Sequence, residues 1–220
     1  MKRLAFSFVG SLAVLTWLAP CALADVITFT NSEYASGTGF GNVTNVLSLQ
    51  ATPSESGSVT PTGRTGHATP TSKTWTAAQL TALGFTADNL GIVFNIAEPG
   101  NADTVDLLSF SLDFYNSSFA SLGSTLLVGT TVLNLPSLGQ GTGSSGWLLA
   151  YSNTGLLTTF FSNPTNVLGG TGSIGQTAGA QENFYLVRTD VAAPIPEPGT
   201  LALLGLGLFG IRWAKGRSKK

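Results

Sequence analysis

The chain has 220 residues and a formal net charge of −1. All eleven acidic residues lie within 25–198, where only Arg64, Lys73 and Arg188 offset them, so that stretch carries −8. A surface of that sign repels a phosphate backbone, which excludes nucleic-acid binding. The single cysteine, Cys21, falls in the leader described next. The rest of the chain therefore has no disulfide, no thiolate metal site and no cysteine nucleophile.

Residues 1–24 read as a signal peptide. Lys2 and Arg3 supply a cationic start, Leu4 to Ala19 an uncharged and mostly apolar run, and Pro20 a helix break. Ala22 and Ala24 then form the A-x-A pattern that a signal peptidase recognises, with cleavage expected before Asp25. Leu18-Ala19-Pro20-Cys21 has the outline of a lipobox, but proline is a poor fit immediately before the cysteine.

The middle, 25–193, reads as one all-β ectodomain, an antiparallel β-sandwich of jelly-roll-like type with one short helix. Ser, Thr, Asn and Gly supply 78 of the residues in 25–198, yet β-branched and aromatic residues recur throughout. Strands are expected at 26–30, 43–49 and 91–96. The clearest is 105–115, with Leu108, Phe110, Leu112 and Phe114 assigned to one face and Ser109, Ser111 and Asp113 to the other. Further strands are expected at 125–128, 130–135, 147–151, 156–161 and 184–189, separated by Gly, Asn, Ser and Pro. Thr76 with Gln79 makes a capping box, Leu80 and Leu83 share a face, and Gly84 is placed to end a helix of about two turns. Such a helix must pack on a sheet edge or cap one end of the sandwich. Residues 51–74, with Pro53, Pro61 and Pro70, read as a long mobile loop, or as a pair of edge strands near Val59.

Candidate chemistry in the middle is sparse. His67 is the only histidine, so a Ser-His-Asp hydrolase would have to use it, yet it lies in a polar stretch and no G-x-S-x-G elbow occurs. With one histidine, a zinc site is not expected. Gly141–Gly146 and Gly170–Gly175 both match G-x-G-x-x-G, but neither opens a helix after a parallel strand, and both read as turns between strands. Glu98, Asn101, Asp103 and Asp106 offer oxygen ligands on one turn, a weak calcium candidate whose spacing matches no EF-hand loop. A solvated acidic turn is the competing reading. Trp75, Trp147, Tyr34 and Tyr151 are the aromatics available to stack on sugar rings. Trp147 sits in a strand-like run and is assigned to the core, which leaves Trp75 as the weak ligand-binding candidate. No cofactor is expected.

From Pro194 on, three prolines and Glu197 form an extended tether, Thr200 to Trp213 an apolar helix, and residues 212–220 a basic tail. Gly199 to Ile211 makes only about 20 Å of helix, short of a hydrocarbon core of roughly 30 Å. Arg212, Lys215 and Arg217 act as a membrane stop, with the basic end in the cytoplasm. A short span closed by a basic cluster suits transient retention in the inner membrane. The run from Ile195 through Pro196, Glu197, Pro198 and the Gly- and Leu-rich helix to Arg212 resembles the PEP-CTERM sorting signal over 194–220. The resemblance implies a Gram-negative source with an exopolysaccharide system. It implies an exosortase as processing partner, and Pro196, Glu197 and Pro198 as its recognition motif. Trp213-Ala214 interrupts the basic end, and lysines replace some of the arginines usual in such tails.

The expected function is thus that of an exported, exosortase-processed protein of the cell surface or extracellular matrix, without enzymatic activity and associated with exopolysaccharide. The alternatives are a carbohydrate-binding β-sandwich module and, with less support, a secreted glycoside hydrolase using paired carboxylates.

Overall fold

The computed structural model describes residues 25–35, 44–97, 104–128, 133–136, 138, 145–152 and 155–190. The leader, residues 98–103, most of the first glycine motif and the whole sorting segment lie outside them.

Period-two alternation produces the two sheets. The first holds β1 (Val26–Ala35), β2 (Asn45–Leu49), β6 (Leu90–Asn95), β9 (Leu126–Val128), β11 (Ser145–Ser152) and β13 (Glu182–Arg188), in the order β2-β13-β6-β11-β1-β9. The second holds β10 (Leu133–Pro136), β7 (Thr104–Tyr115), β12 (Val167–Gly175), β3 (Ser54–Thr60) and β4 (Gly63–Gly66), in the order β10-β7-β12-β3-β4. The short strands β5 (Trp75–Thr76) and β8 (Ser121–Ser124) pair with β12 and β7 respectively. Among the described pairings only β1 with β9 is parallel. The chain is an all-β sandwich, as its sequence pattern requires.

The sheets meet through aromatic rings. Phe184 of β13 stacks on Phe110 of β7, with centroids 4.0 Å apart, and on Phe94 of β6 at 4.7 Å. Around them Ile27, Leu47, Leu49 and Ile92 from the first sheet face Leu107, Leu112, Leu168 and Ile174 from the second, all buried. Each such side chain contributes about 1.5–3 kcal/mol of burial free energy. The outer edge of β2 is covered by the segment 67–73. Thr69 N–H donates to the Ser48 carbonyl at 2.9 Å, Lys73 N–H to Val46 at 3.2 Å, and the Ser72 hydroxyl accepts from Ser48 N–H at 2.9 Å. Covering the edge removes a template for strand addition. Asn45, Ser48 and Asn183 form a buried side-chain hydrogen-bond chain beside it.

The expected helix is α1 (Ala77–Ala82), and its capping box is complete. The Thr76 hydroxyl accepts from Gln79 N–H at 3.2 Å, and the Gln79 side chain accepts from Thr76 N–H at 2.9 Å. It ends in a Schellman motif, with Phe85 N–H donating to the Leu80 carbonyl, Gly84 N–H to Thr81, and Gly84 at φ +84. Leu80 is buried, but Leu83 is 39% exposed, so the apolar face is Ala77 with Leu80 rather than Leu80 with Leu83.

Four other expectations are corrected. Residues 156–161, read as a strand, form α2 (Leu156–Phe161). Its apolar pairs Leu156-Leu157 and Phe160-Phe161 lie four residues apart, which is a helical period, and Leu157 and Phe160 are the buried pair. Phe160 packs on Phe114 at 5.3 Å, while α1 backbone N–H groups of Ala77 and Ala78 donate to Asn166 and Pro164 just after α2. The two helices thus close the end of the sandwich where β7 finishes and β12 begins.

The long loop expected over 51–74 gives way to the β3–β4 hairpin and the edge segment, in line with the alternative of edge strands near Val59. Gly170–Gly175 is not a turn but most of β12, paired with β7 on one side and β3 on the other. Its glycines stand where neighbours already fill the space: a Cβ on Gly172 would lie 3.1 Å from Leu47 and 3.5 Å from Phe184. Finally, Leu108 is not on the core face. Ser173 pairs Ser109 and Ile174 pairs Leu107, so Leu108 is the extra residue of a β-bulge and is 44% exposed, while Leu107 and Val105 are buried.

Candidate functional site

The residues singled out for chemistry are dispersed by the fold. His67 continues the β3–β4 hairpin: its backbone N–H donates to the Ser56 carbonyl at 2.8 Å, and its Nδ1 accepts from Ser56 N–H at 3.2 Å. The imidazole is exposed at a sheet edge and held by backbone. Of the weak calcium set only Asp106 is described. Its carboxylate accepts from Asn134 Nδ2 at 3.0 Å and from the Gln176 side chain. Glu98, Asn101 and Asp103 lie outside the described residues, and no metal-binding cluster of acidic, histidine or cysteine side chains occurs among the described ones.

Trp75 is half-buried and packs against the core, and its indole N–H donates to the Asn45 carbonyl at 2.9 Å. That contact holds the ring against β2. Trp147 is 8% exposed, its N–H donates to the Pro136 carbonyl at 3.0 Å, and it belongs to the core as expected. Asp113 and Glu55 bond to groups of the fold itself. Asp113 accepts from the Ser111 and Thr171 hydroxyls at 3.1 and 2.6 Å. Glu55 and Glu182 are fully buried, and Glu55 accepts from Ala51 N–H at 2.9 Å.

Asp25, the first residue after the expected leader, is 1% exposed. It accepts the Tyr151 hydroxyl at 2.6 Å and Leu157 N–H at 3.3 Å, tying the start of β1 to β11 and α2. Burial pushes the Tyr151 phenol far above its ordinary value of 10.0, and the hydrogen bond to Asp25 raises it further. Burial also raises Tyr34, Tyr115 and Tyr185, at Tyr115 with help from Asp113. A phenol that ionises later in the folded chain leaves the folded state holding more protons above about pH 10. This contribution is therefore intact below pH 10 and lost as pH rises through it. Urea midpoints should fall above pH 10, with Tyr151 accounting for at most about 1.4 kcal/mol per pH unit. Tyr151→Phe should flatten that slope, and an unchanged slope would show that the phenol is not held buried beside Asp25.

A polar groove lined by two cations was not foreseen. It measures about 390 Å³ and lies between the β3–β4 turn and residues 72–74, lined by Val59, Thr60, Thr62, Arg64, Lys73 and Thr74 among others. Arg64 and Lys73 are two of only three basic residues in 25–198. Their scarcity was the available signal, and only the hairpin brings them to one place.

Both expected membrane-entering segments, the signal-peptidase residues Ala22 and Ala24, the Pro196-Glu197-Pro198 motif and the stop at Arg212, Lys215 and Arg217 lie outside the described residues. Among the described residues no helix is long and apolar enough to cross a membrane. No curated protein and no solved structure matches the chain. Residues 194–218 do match a known family: the chain carries a PEP-CTERM protein-sorting motif there, the mark of an exported protein directed to an exosortase.

Proposed function

We propose that the protein is exported through a cleaved signal peptide and folds outside the inner membrane as a β-sandwich. Its short C-terminal span holds it there until an exosortase acts on it. It then serves at the cell surface or in the extracellular matrix as a non-enzymatic protein associated with exopolysaccharide. The match at residues 194–218 carries this reading. Its physical counterpart in the sequence is an apolar run too short for a lasting anchor, preceded by a proline-rich stretch and followed by a basic stop. The non-enzymatic part draws support from the placement of the polar groups. The described carboxylates Asp25, Asp106 and Asp113 bond to neighbouring side chains, and His67 is held by backbone at an exposed edge.

The Pro196→Ala, Glu197→Ala double variant tests it. The tether loses its rigidity and its charge together, so the unprocessed precursor should accumulate in the inner-membrane fraction. Release at the normal level would refute the role of the motif.

A further inference from the structure

Both ends of the domain leave the sandwich at the same place. Asp25 accepts Leu157 N–H at the start of α2. Arg188 lies over the end of α1, where a Cβ on Gly84 would meet its guanidinium at 2.7 Å. Thr189 N–H then donates to the Asn89 carbonyl at 2.8 Å. Both termini therefore emerge at the end that α1 and α2 close. In the sequence Asp25 follows the expected leader directly, and only residues 191–199 separate Asp190 from the apolar run that begins at Thr200. A stretch of that length spans no more than about 30 Å fully extended.

Two of the three large apolar side chains exposed among the described residues lie at this end: Leu83 at the C-cap of α1 and Phe119, which is 52% exposed. Phe119 sits in the turn after Tyr115, and Tyr115 pairs with Val167 beside the helices. Its φ of +64 is a left-handed conformation unfavourable for a bulky residue. The turn is nonetheless fastened. Phe119 N–H donates to the Asn116 carbonyl at 2.9 Å, and the Asn116 side chain accepts from Ser118 N–H at 2.9 Å and Ala120 N–H at 3.0 Å.

Charge is arranged along the same axis. Arg64, Lys73 and Arg188, the basic residues of 25–198, all lie in the half nearer the helices. Arg64 pairs with Val59 opposite Gly170, Lys73 precedes β5, and Arg188 ends β13. There they offset Asp25, Asp88, Asp113 and Asp190 in part. The described carboxylates of the other half, Glu33, Glu55, Asp106 and Glu182, have no basic residue among them. An anionic leaflet repels that far half more than the helix-closed end.

We propose that the helix-closed end is a membrane-docking face, and that Leu83 and Phe119 seat in the phospholipid interface while the precursor is held. The inference rests on the membrane-held tail of the reading above. Two apolar side chains give little affinity by themselves. A short tether makes their contact intramolecular, at an effective concentration in the millimolar range. A fluid interface accepts them without the shape complementarity that a protein partner demands. Cutting the tail removes the tether's advantage, so the event that severs the anchor also undocks the domain.

Spin labels on the full chain test the assignment, after reconstitution in vesicles of phosphatidylethanolamine with a minority of phosphatidylglycerol. Cys21→Ser removes the native thiol. Labels on Leu83→Cys and Phe119→Cys should lose most of their accessibility to a water-soluble nickel chelate and gain accessibility to oxygen. The reference is Ser54→Cys, exposed in the far half opposite Gly175. A label on Ala82→Cys, with Leu83 and Phe119 intact, should be shielded likewise, and adding Leu83→Asp with Phe119→Asp should return it to water. Leu83 and Phe119 are exposed, so melting temperatures of the variants should match the parent. Labels at 83 and 119 as open to nickel as the reference, or an Ala82→Cys label indifferent to the aspartate pair, would overturn the proposal. So would shielding that arises only once an exosortase is added to the vesicles, since the partner would then be a protein. Flotation of the same vesicles reads membrane attachment separately. A chain that floats with water-open labels refutes docking alone, and a chain that fails to float refutes the membrane-held reading as well.

Discussion

Phe184→Ala should destabilise the protein by about 3–5 kcal/mol. Phe184 is fully buried and is the ring through which the two sheets touch, stacked on Phe110 of the second sheet at an interplanar angle of 6° and on Phe94 of its own sheet at 16°. Truncation removes the transfer free energy of the ring, and it also removes stacking worth about 0.5–1.5 kcal/mol per pair. The hole cannot close from below, because the position facing it on β12 is Gly172, which has no side chain to advance. The hole is then left by a partly relaxed core, and its cost adds to the transfer cost. Denaturant unfolding of the variant against the parent measures the sum. A loss below about 1 kcal/mol would mean that the sheets are not joined through this stack.

The second large effect separates two adjacent glycines. Gly169→Ala should cost about 3 kcal/mol or more, while Gly170→Ala should be neutral or stabilising by about 0.4–1 kcal/mol. The end of β3 lies against Gly169, so an added Cβ would sit 2.1 Å from the Val59 carbonyl oxygen and 3.2 Å from its carbon. Those are backbone atoms of a paired strand, and relieving the overlap means parting β3 from β12. At Gly170 the nearest atom to an added Cβ is the Ser111 oxygen at 3.4 Å, followed by a Val46 methyl at 3.5 Å, which is ordinary contact. Alanine there mainly reduces the freedom of the unfolded chain. The same pair of unfolding curves decides the matter: equal effects at both positions would show that β3 does not pack against Gly169 as described.

These two glycines also mark where sequence reading loses its grip. Alternation finds a strand when each inward position carries an apolar side chain. On β12 the inward positions Gly170 and Gly172 are filled by Val46, Leu47 and Phe184 of the facing sheet and by Phe110 of the neighbouring β7. The strand supplies only space, and Gly-Thr-Gly-Ser-Ile-Gly read in isolation looks like a turn. On β7 the alternation is present, but one bulge residue shifts its phase. Leu107 therefore takes the core place that a continuous reading assigns to Leu108. A bulge is set by the partner strand's register, which no local pattern encodes. At α2 the helical spacing was in the sequence, but six residues also satisfy a strand of β-branched and aromatic type. What decided between them was the open end of the sandwich that Leu157 and Phe160 close.

By itself, the sequence determined whatever depends on near neighbours in the chain. The all-β class, the capped helix at Thr76 and the PEP-CTERM motif at 194–218 are all of that kind. A capping box needs three consecutive steps of backbone, and a sorting tail needs a tether, an apolar run and a basic end in order. Tertiary structure alone decided the strand order, the central place of a glycine-rich strand, the burial of Asp25 against Tyr151 and α2, and the meeting of Arg64 with Lys73 in one groove. Each of these joins residues through pairing or packing across the fold, and such contacts depend on which surfaces find one another when the chain collapses.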